Sequence, residues 1–265
     1  TGFTNALAQS LKNDVCESEQ GQSDLVEKSQ ESHFIGYASG SFGTKFLKDY
    51  RVLGKGPVTQ AEAVVGRKNN FWAGDSIAVG AFGNYDVNSG ELVEADFSAE
   101  ARVPVHFFER MVGGYDNPCF NDSISVGYQY RHYQNGLLGA KGKDFGNHVV
   151  AAGFKHSSKL DLELEGLGLI PDSNTSDGYL ARFTGSKKWN LGKVGDRDLC
   201  VKPFVHTAYA FDWYGINGFT AVNSGVDVTF EKKHSVFGGK IESQSSLNDK
   251  VDNVLYAGAE VGVRF

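Results

Sequence analysis

Leu255-Tyr256-Ala257-Gly258-Ala259-Glu260-Val261-Gly262-Val263-Arg264-Phe265 alternates apolar with polar or small side chains up to its last residue. A β-strand sends successive side chains to opposite faces. Leu255, Ala257, Ala259, Val261, Val263 and Phe265 therefore share one greasy face. Tyr256, Gly258, Glu260, Gly262 and Arg264 share a wet one.

The same period of two recurs upstream. Twelve segments carry it, at about 33–43, 59–68, 75–86, 91–105, 121–133, 146–156, 159–169, 178–189, 199–211, 222–232, 234–244 and 253–265. In the fourth, Val93, Ala95, Phe97, Ala99, Ala101, Val103 and Val105 oppose Glu94, Asp96, Ser98, Glu100 and Arg102. In the seventh, Leu160, Leu162 and Leu164 oppose Asp161, Glu163 and Glu165; in the tenth, Val226, Val228 and Phe230 oppose Asp227, Thr229 and Glu231. A soluble sandwich alternates too. Here, however, the charges are dense on one face and nearly absent from the other, and no helices are in view to cover the apolar face.

Composition narrows the classes. The 265 residues include 33 Gly, 19 Phe and 11 Tyr but a single Met, a β-rich profile. With 26 basic and 32 acidic residues, a net charge of −6 and no basic block, a nucleic-acid surface is excluded. No apolar run approaches the roughly 18 residues of a transmembrane helix. The negative mean hydropathy reads as soluble, but a membrane barrel escapes that inference because only alternate residues face lipid. No signal peptide is visible, so a secreted protein is expected to be present in mature form. Cys16, Cys119 and Cys200 are odd in number and form no CxxC pair. Neither a metal site nor a cofactor is expected.

Residues 1–32 read differently, as a polar tail or short helix lying in the periplasm or the lumen, ahead of a barrel over 33–265. The connections should alternate as well. Those after the sixth and tenth segments are tight, at Ser157-Ser158 and Lys233; those after the first, fifth, seventh, ninth and eleventh are longer. Two connections on the tight side are long, His106–Phe120 and Asn190–Asp198, and end near Cys119 and Cys200. A Cys119–Cys200 bridge and two free thiols are both open. Phe71, Trp72, Phe107, Phe108, Tyr133, Trp189, Trp213 and Tyr214 fall near segment ends, where interfacial aromatic girdles are expected.

A chain closing on such a strand with a C-terminal Phe resembles the bacterial outer-membrane β-barrels. The resemblance implies an all-β, transmembrane, antiparallel up-and-down barrel of about twelve strands in the outer membrane of a Gram-negative bacterium. It also implies contact with membrane lipid and lipopolysaccharide, and recognition of the last strand by the barrel-assembly machinery. The polar faces then line a lumen. Glu94, Asp96, Glu100, Arg102, Arg131, Asp161, Glu163, Lys202, Asp227, Glu231, Glu260 and Arg264 are its candidate solute-contacting residues. Inward charges either line a water path or knit it shut. The acidic excess favours cations or zwitterions. The expected role is a narrow porin-like channel for passive diffusion of small solutes and ions, as a monomer.

Two alternatives stand beside it. Tyr128-Gln129-Tyr130-Arg131-His132-Tyr133-Gln134-Asn135-Gly136 resembles the active-site stretch of the outer-membrane phospholipase A and lipid A deacylase barrels. That makes His132, on the apolar face, a candidate catalytic residue. Gln134 stands where those families carry the nucleophilic Ser, and an amide cannot serve, so the resemblance implies a hydrolase relative without catalysis. An autotransporter translocator also has twelve strands, with residues 4–28 as its pore helix, but Asp14, Glu17, Glu19, Asp24 and Glu27 would crowd an acidic lumen.

Overall fold

The computed structural model describes residues 33–54, 56–69, 75–104, 121–133, 145–157, 160–171 and 177–265. The tail 1–32, Cys16, Cys119, Phe71, Trp72, Phe107, Phe108, the connection 105–120, Gln134 and Ser158 lie outside them. The described residues form strands and turns only. In order these are β1 (His33–Gly43), β2 (Phe46–Lys48), β3 (Arg51–Gly54), β4 (Val58–Asn69), β5 (Asp75–Asp86), β6 (Leu92–Pro104), β7 (Asn121–Tyr133) and β8 (Phe145–Ser157). There follow β9 (Asp161–Ile170), β10 (Gly178–Ser186), β11 (Trp189–Val194), β12 (Arg197–Trp213), β13 (Ile216–Lys232), β14 (Ser235–Ser246) and β15 (Val254–Arg264).

Every strand of the main sheet pairs antiparallel with its neighbour, in the order β1-β4-β5-β6-β7-β8-β9-β10-β12-β13-β14-β15. β15 returns to β1, with Tyr37 opposite Arg264 and Gly43 opposite Gly258. Twelve strands thus close into a barrel, which abolishes exposed sheet edges along its wall. The seam extends to the last residue, since the Gly36 amide donates to the Phe265 carbonyl at 2.7 Å and the Phe265 amide returns the bond at 3.0 Å. The Phe265 ring lies over Gly36, where a Cβ would collide with it. β2 and β3 form a separate two-stranded hairpin. β11 continues β10 past a break and pairs only with the start of β12. The break falls opposite Pro203, which has no N–H for the ladder; the Lys187 amide donates to the Pro203 carbonyl at 3.2 Å.

Burial is inverted relative to a soluble domain. On β5 and β6, Val79 and Phe97 are 56% and 59% exposed, whereas Glu94 is 0% exposed. Ile77, Val126, Leu164, Phe183, Phe211, Ile241 and Val261 join the exposed apolar belt. Glu100, Arg131, Asn147, Glu165, Arg182, Asn223 and Glu242 are buried inside. A soluble monomer does not display an apolar surface running around its whole girth; a bilayer-spanning barrel requires one.

Three expectations need correction. Residues 212–221 are not a long loop: β12 and β13 run on to Trp213 and Ile216, which pair directly across Tyr214-Gly215. Tyr214 and Gly215 both have positive φ, 48° and 76°, the turn that matches the twist of paired strands. Residues 190–198 are likewise a hairpin, β11 turning tightly into β12, rather than a long connection. Tyr133 and Trp213 are not girdle residues. Both are 0% exposed: Tyr133 falls on the inward parity of β7, and Trp213 belongs to an apolar cluster with Val149, Leu167, Leu169, Leu180, Ala208, Ala210 and Ala221, from the inward faces of β8, β9, β10, β12 and β13.

Candidate functional site: the lumen

The inner wall is built from the polar half of each strand, and antiparallel register sets opposite charges side by side. Lys155 pairs across with Glu163, Arg182 with Glu165, Arg131 with Asp96, and Asp227 stands between Lys202 and Lys240. Such cross-strand pairs stabilise a sheet by roughly 0.2–1 kcal/mol each.

A cavity of about 430 Å³ occupies the lumen on the side where β1 begins and β15 ends. Among the described lining residues, carboxylates outnumber Lys and Arg ten to seven. At its lower rim Glu231 is bridged by Lys188 at 2.8 Å and Arg264 at 3.5 Å. Higher up, Lys240 Nζ meets Glu242 at 2.7 Å and lies 4.7 Å above the Phe204 ring. Glu260 accepts a hydrogen bond from the Tyr37 hydroxyl.

The ceiling of the cavity is the tip of the β2–β3 hairpin, which folds into the lumen. Asp49 and Tyr50 form its two-residue turn, with φ of 46° and 70°. This left-handed backbone is uncommon for Asp and a clear outlier for Tyr. Such conformations cost about 1–3 kcal/mol each and persist where surroundings enforce them. Here the surroundings are polar clamps. The Asp49 carboxylate takes Arg131 on one oxygen and Arg182 on the other, the latter at 3.0 Å. Arg182 also reaches Glu165 at 2.9 Å, and Arg131 donates to Gln129. Tyr50 Oη bonds His206 Nδ1 at 3.0 Å, and His206 Nε2 bonds Glu242 at 3.1 Å. The Nε2–H tautomer of His206 satisfies both bonds. Gln244 donates to the Tyr50 carbonyl at 3.2 Å and to that of Asp252 at 2.8 Å. Burial pushes the Tyr50 phenol up to about 12, so it remains a donor at neutral pH. Beyond the tip the lumen is filled by Trp213, Ile216 and Val251, which pack with Tyr50 against the apolar inner patch.

The chain is a closed twelve-stranded β-barrel with the apolar outer belt and charged interior of a membrane-spanning one. No protein-family model and no curated protein matches it. Among solved structures it is similar to the COG4313 outer membrane channel from Pseudomonas putida F1, with 8% identity and a TM-score of 0.49, over 93% of this chain and 100% of that one. It is also similar to the beta domain of the Bordetella autotransporter Brka (11%, 0.43, 88% and 98%) and to LpxR from Salmonella typhimurium (9%, 0.43, 86% and 99%). At these identities the likeness concerns the course of the chain, not its chemistry.

The lumen residues named from sequence divide in two. Asp96, Asp161, Glu163, Lys202, Asp227, Glu231, Glu260 and Arg264 line the cavity. Glu94, Glu100, Arg102 and Arg131 are packed into the wall beside it, Arg102 on Glu100 at 2.8 Å. His132 is on the outward parity of β7, opposite Gly146, one step along from the Tyr128, Tyr130 and His148 ring cluster. Cys200 is a buried free thiol on β12, while its proposed partner Cys119 lies outside the described residues. Sequence reasoning missed Asp49, Tyr50, Arg182, His206, Lys240 and Glu242. The strand residues among them were accessible from parity: Arg182 is flanked by outward Ala181 and Phe183. Asp49 and Tyr50 carried no such signal, because a loop has no periodicity to read.

Proposed function

We propose that this protein is a channel in the outer membrane of a Gram-negative bacterium, passing small solutes and ions through a narrow charged lumen, with cations and zwitterions favoured over anions. The observation that carries this reading is the acidic cavity at the heart of a closed barrel. Its volume falls within the usual range of small-molecule sites. The β2–β3 hairpin and the apolar packing beyond it close the lumen above, so passage requires them to move. In this reading the barrel end where β1 begins faces the periplasm and the hairpin enters from outside. The apolar belt meets lipid and lipopolysaccharide, and β15 is the strand engaged by the assembly machinery.

The test is the current through the refolded barrel in a planar bilayer under a salt gradient. Small stepwise currents are expected, with a reversal potential displaced toward the cation equilibrium potential. A correctly folded barrel that stays silent, or one selective for anions, overturns the proposal.

A further inference from the structure

The Asp49 carboxylate does not belong to the barrel wall. It is delivered by a hairpin that pairs with no barrel strand. Two guanidinium groups from separate strands, β7 and β10, converge on it, one on each oxygen. Arg131 is 1% exposed and is held in place from behind by Gln129; Arg182 is held by Glu165. Both arginines are thus positioned by the wall, independently of their guest. Paired guanidiniums offer fixed donor forks that match a carboxylate. The guest itself sits on strained backbone, so its ground state is raised relative to a free carboxylate. The cavity opens directly beneath, with Arg182 and Asp49 in its lining.

From this we propose that Arg131 and Arg182 form a binding site for the carboxylate of a small solute, occupied in this structure by Asp49 as a built-in substitute. A solute carboxylate entering from the cavity competes with Asp49; where it wins, the hairpin tip is released and the path past it widens. A zwitterion suits the setting best, since its cationic end meets the acidic lining. The role in permeation rests on the channel reading, whereas the site itself does not.

The test separates the two. Asp49→Ala and the shape-conserving Asp49→Asn are refolded in detergent, and unfolding temperature is followed with added acetate, phosphate or chloride at constant ionic strength. A ligand that binds only the folded barrel raises that temperature by mass action. Acetate is expected to stabilise both variants by several degrees, with no effect on the unsubstituted protein at the same concentration and none on Asp49→Ala/Arg182→Gln. Equal stabilisation by phosphate would identify a general oxyanion site and overturn the carboxylate assignment. No response to acetate in either variant, or an undiminished response without Arg182, overturns the site. Should Asp49→Ala refold only when acetate is present, the site is supported directly; should it refold in neither condition, Asp49→Asn decides. These readouts do not depend on conduction. In bilayers the companion expectation is a several-fold larger current for Asp49→Ala, in which the tip is no longer clamped. A silent barrel that still responds thermally to acetate leaves the site standing and removes only the channel.

Discussion

Individual side chains in this barrel act chiefly through what they would leave behind. Arg131 and Arg182 are buried beside one carboxylate, and removing one member of such a group strands a charge away from water at a cost of about 3–5 kcal/mol. Tyr50 anchors the same tip by a neutral hydrogen bond to His206. Its folded pKa of about 12 lies above the ordinary 10. The sign follows: the stability it contributes is complete below pH 10 and is lost as the pH rises toward 12. Spectrophotometric titration of the folded barrel should therefore show a late-ionising phenol that is missing from Tyr50→Phe, and that variant should lose less stability across this alkaline range. A Tyr50→Phe titration superimposable on the parent curve would show that Tyr50 is not held in this way. From sequence, Arg131 was legible as inward and charged because its neighbours Tyr130 and His132 mark the other face. Its partner was not, since 82 residues separate Asp49 from Arg131.

At the level of the elements, the period-two pattern placed all twelve barrel strands, most to within one or two residues; β13 begins six residues before its predicted start, and β10 stops three short of its predicted end. It erred where a strand outlasts its apolar alternation. Around Asp212 the β12–β13 ladder carries an irregularity between Ala210 and Trp213, and Asp212 itself has a φ of 50°. The parity slips there, so the strand reads as loop. The close approach of β10 depends on the same irregularity. A Cβ on Gly178 would sit 2.6 Å from the Asp212 carbonyl oxygen and 3.2 Å from the Trp213 Cα, both backbone atoms that cannot swing aside. Gly178→Val should lower barrel stability by about 1–3 kcal/mol, the usual range for overpacking. Urea unfolding from lipid vesicles measures this; a midpoint equal to that of the parent would mean that the β10–β12 junction has slack.

Over the whole molecule, the exposed apolar belt and buried charged interior demand a bilayer. Val79 lies mid-strand on β5 and points outward. In a water-soluble barrel, Val79→Arg would change stability by no more than ~0.5 kcal/mol. In a membrane barrel it should cost about 2–4 kcal/mol near the bilayer midplane. Vesicle-based unfolding distinguishes the two, and a neutral outcome would contradict the transmembrane reading. The strand pattern, the two faces and the sign of the lumen charge could be read along the chain, because each follows from local alternation between two solvents; the closing role of the last strand was implied only by the resemblance to outer-membrane barrels. The insertion of the hairpin, the clamp on Asp49 and the apolar packing that fills the far end of the lumen could not. They exist only once the sheet has closed and brought β7, β10 and β12 around a loop that is 82 and 133 residues distant from its arginine partners. Nothing in a period of two encodes which side chains will meet across the inside of a cylinder.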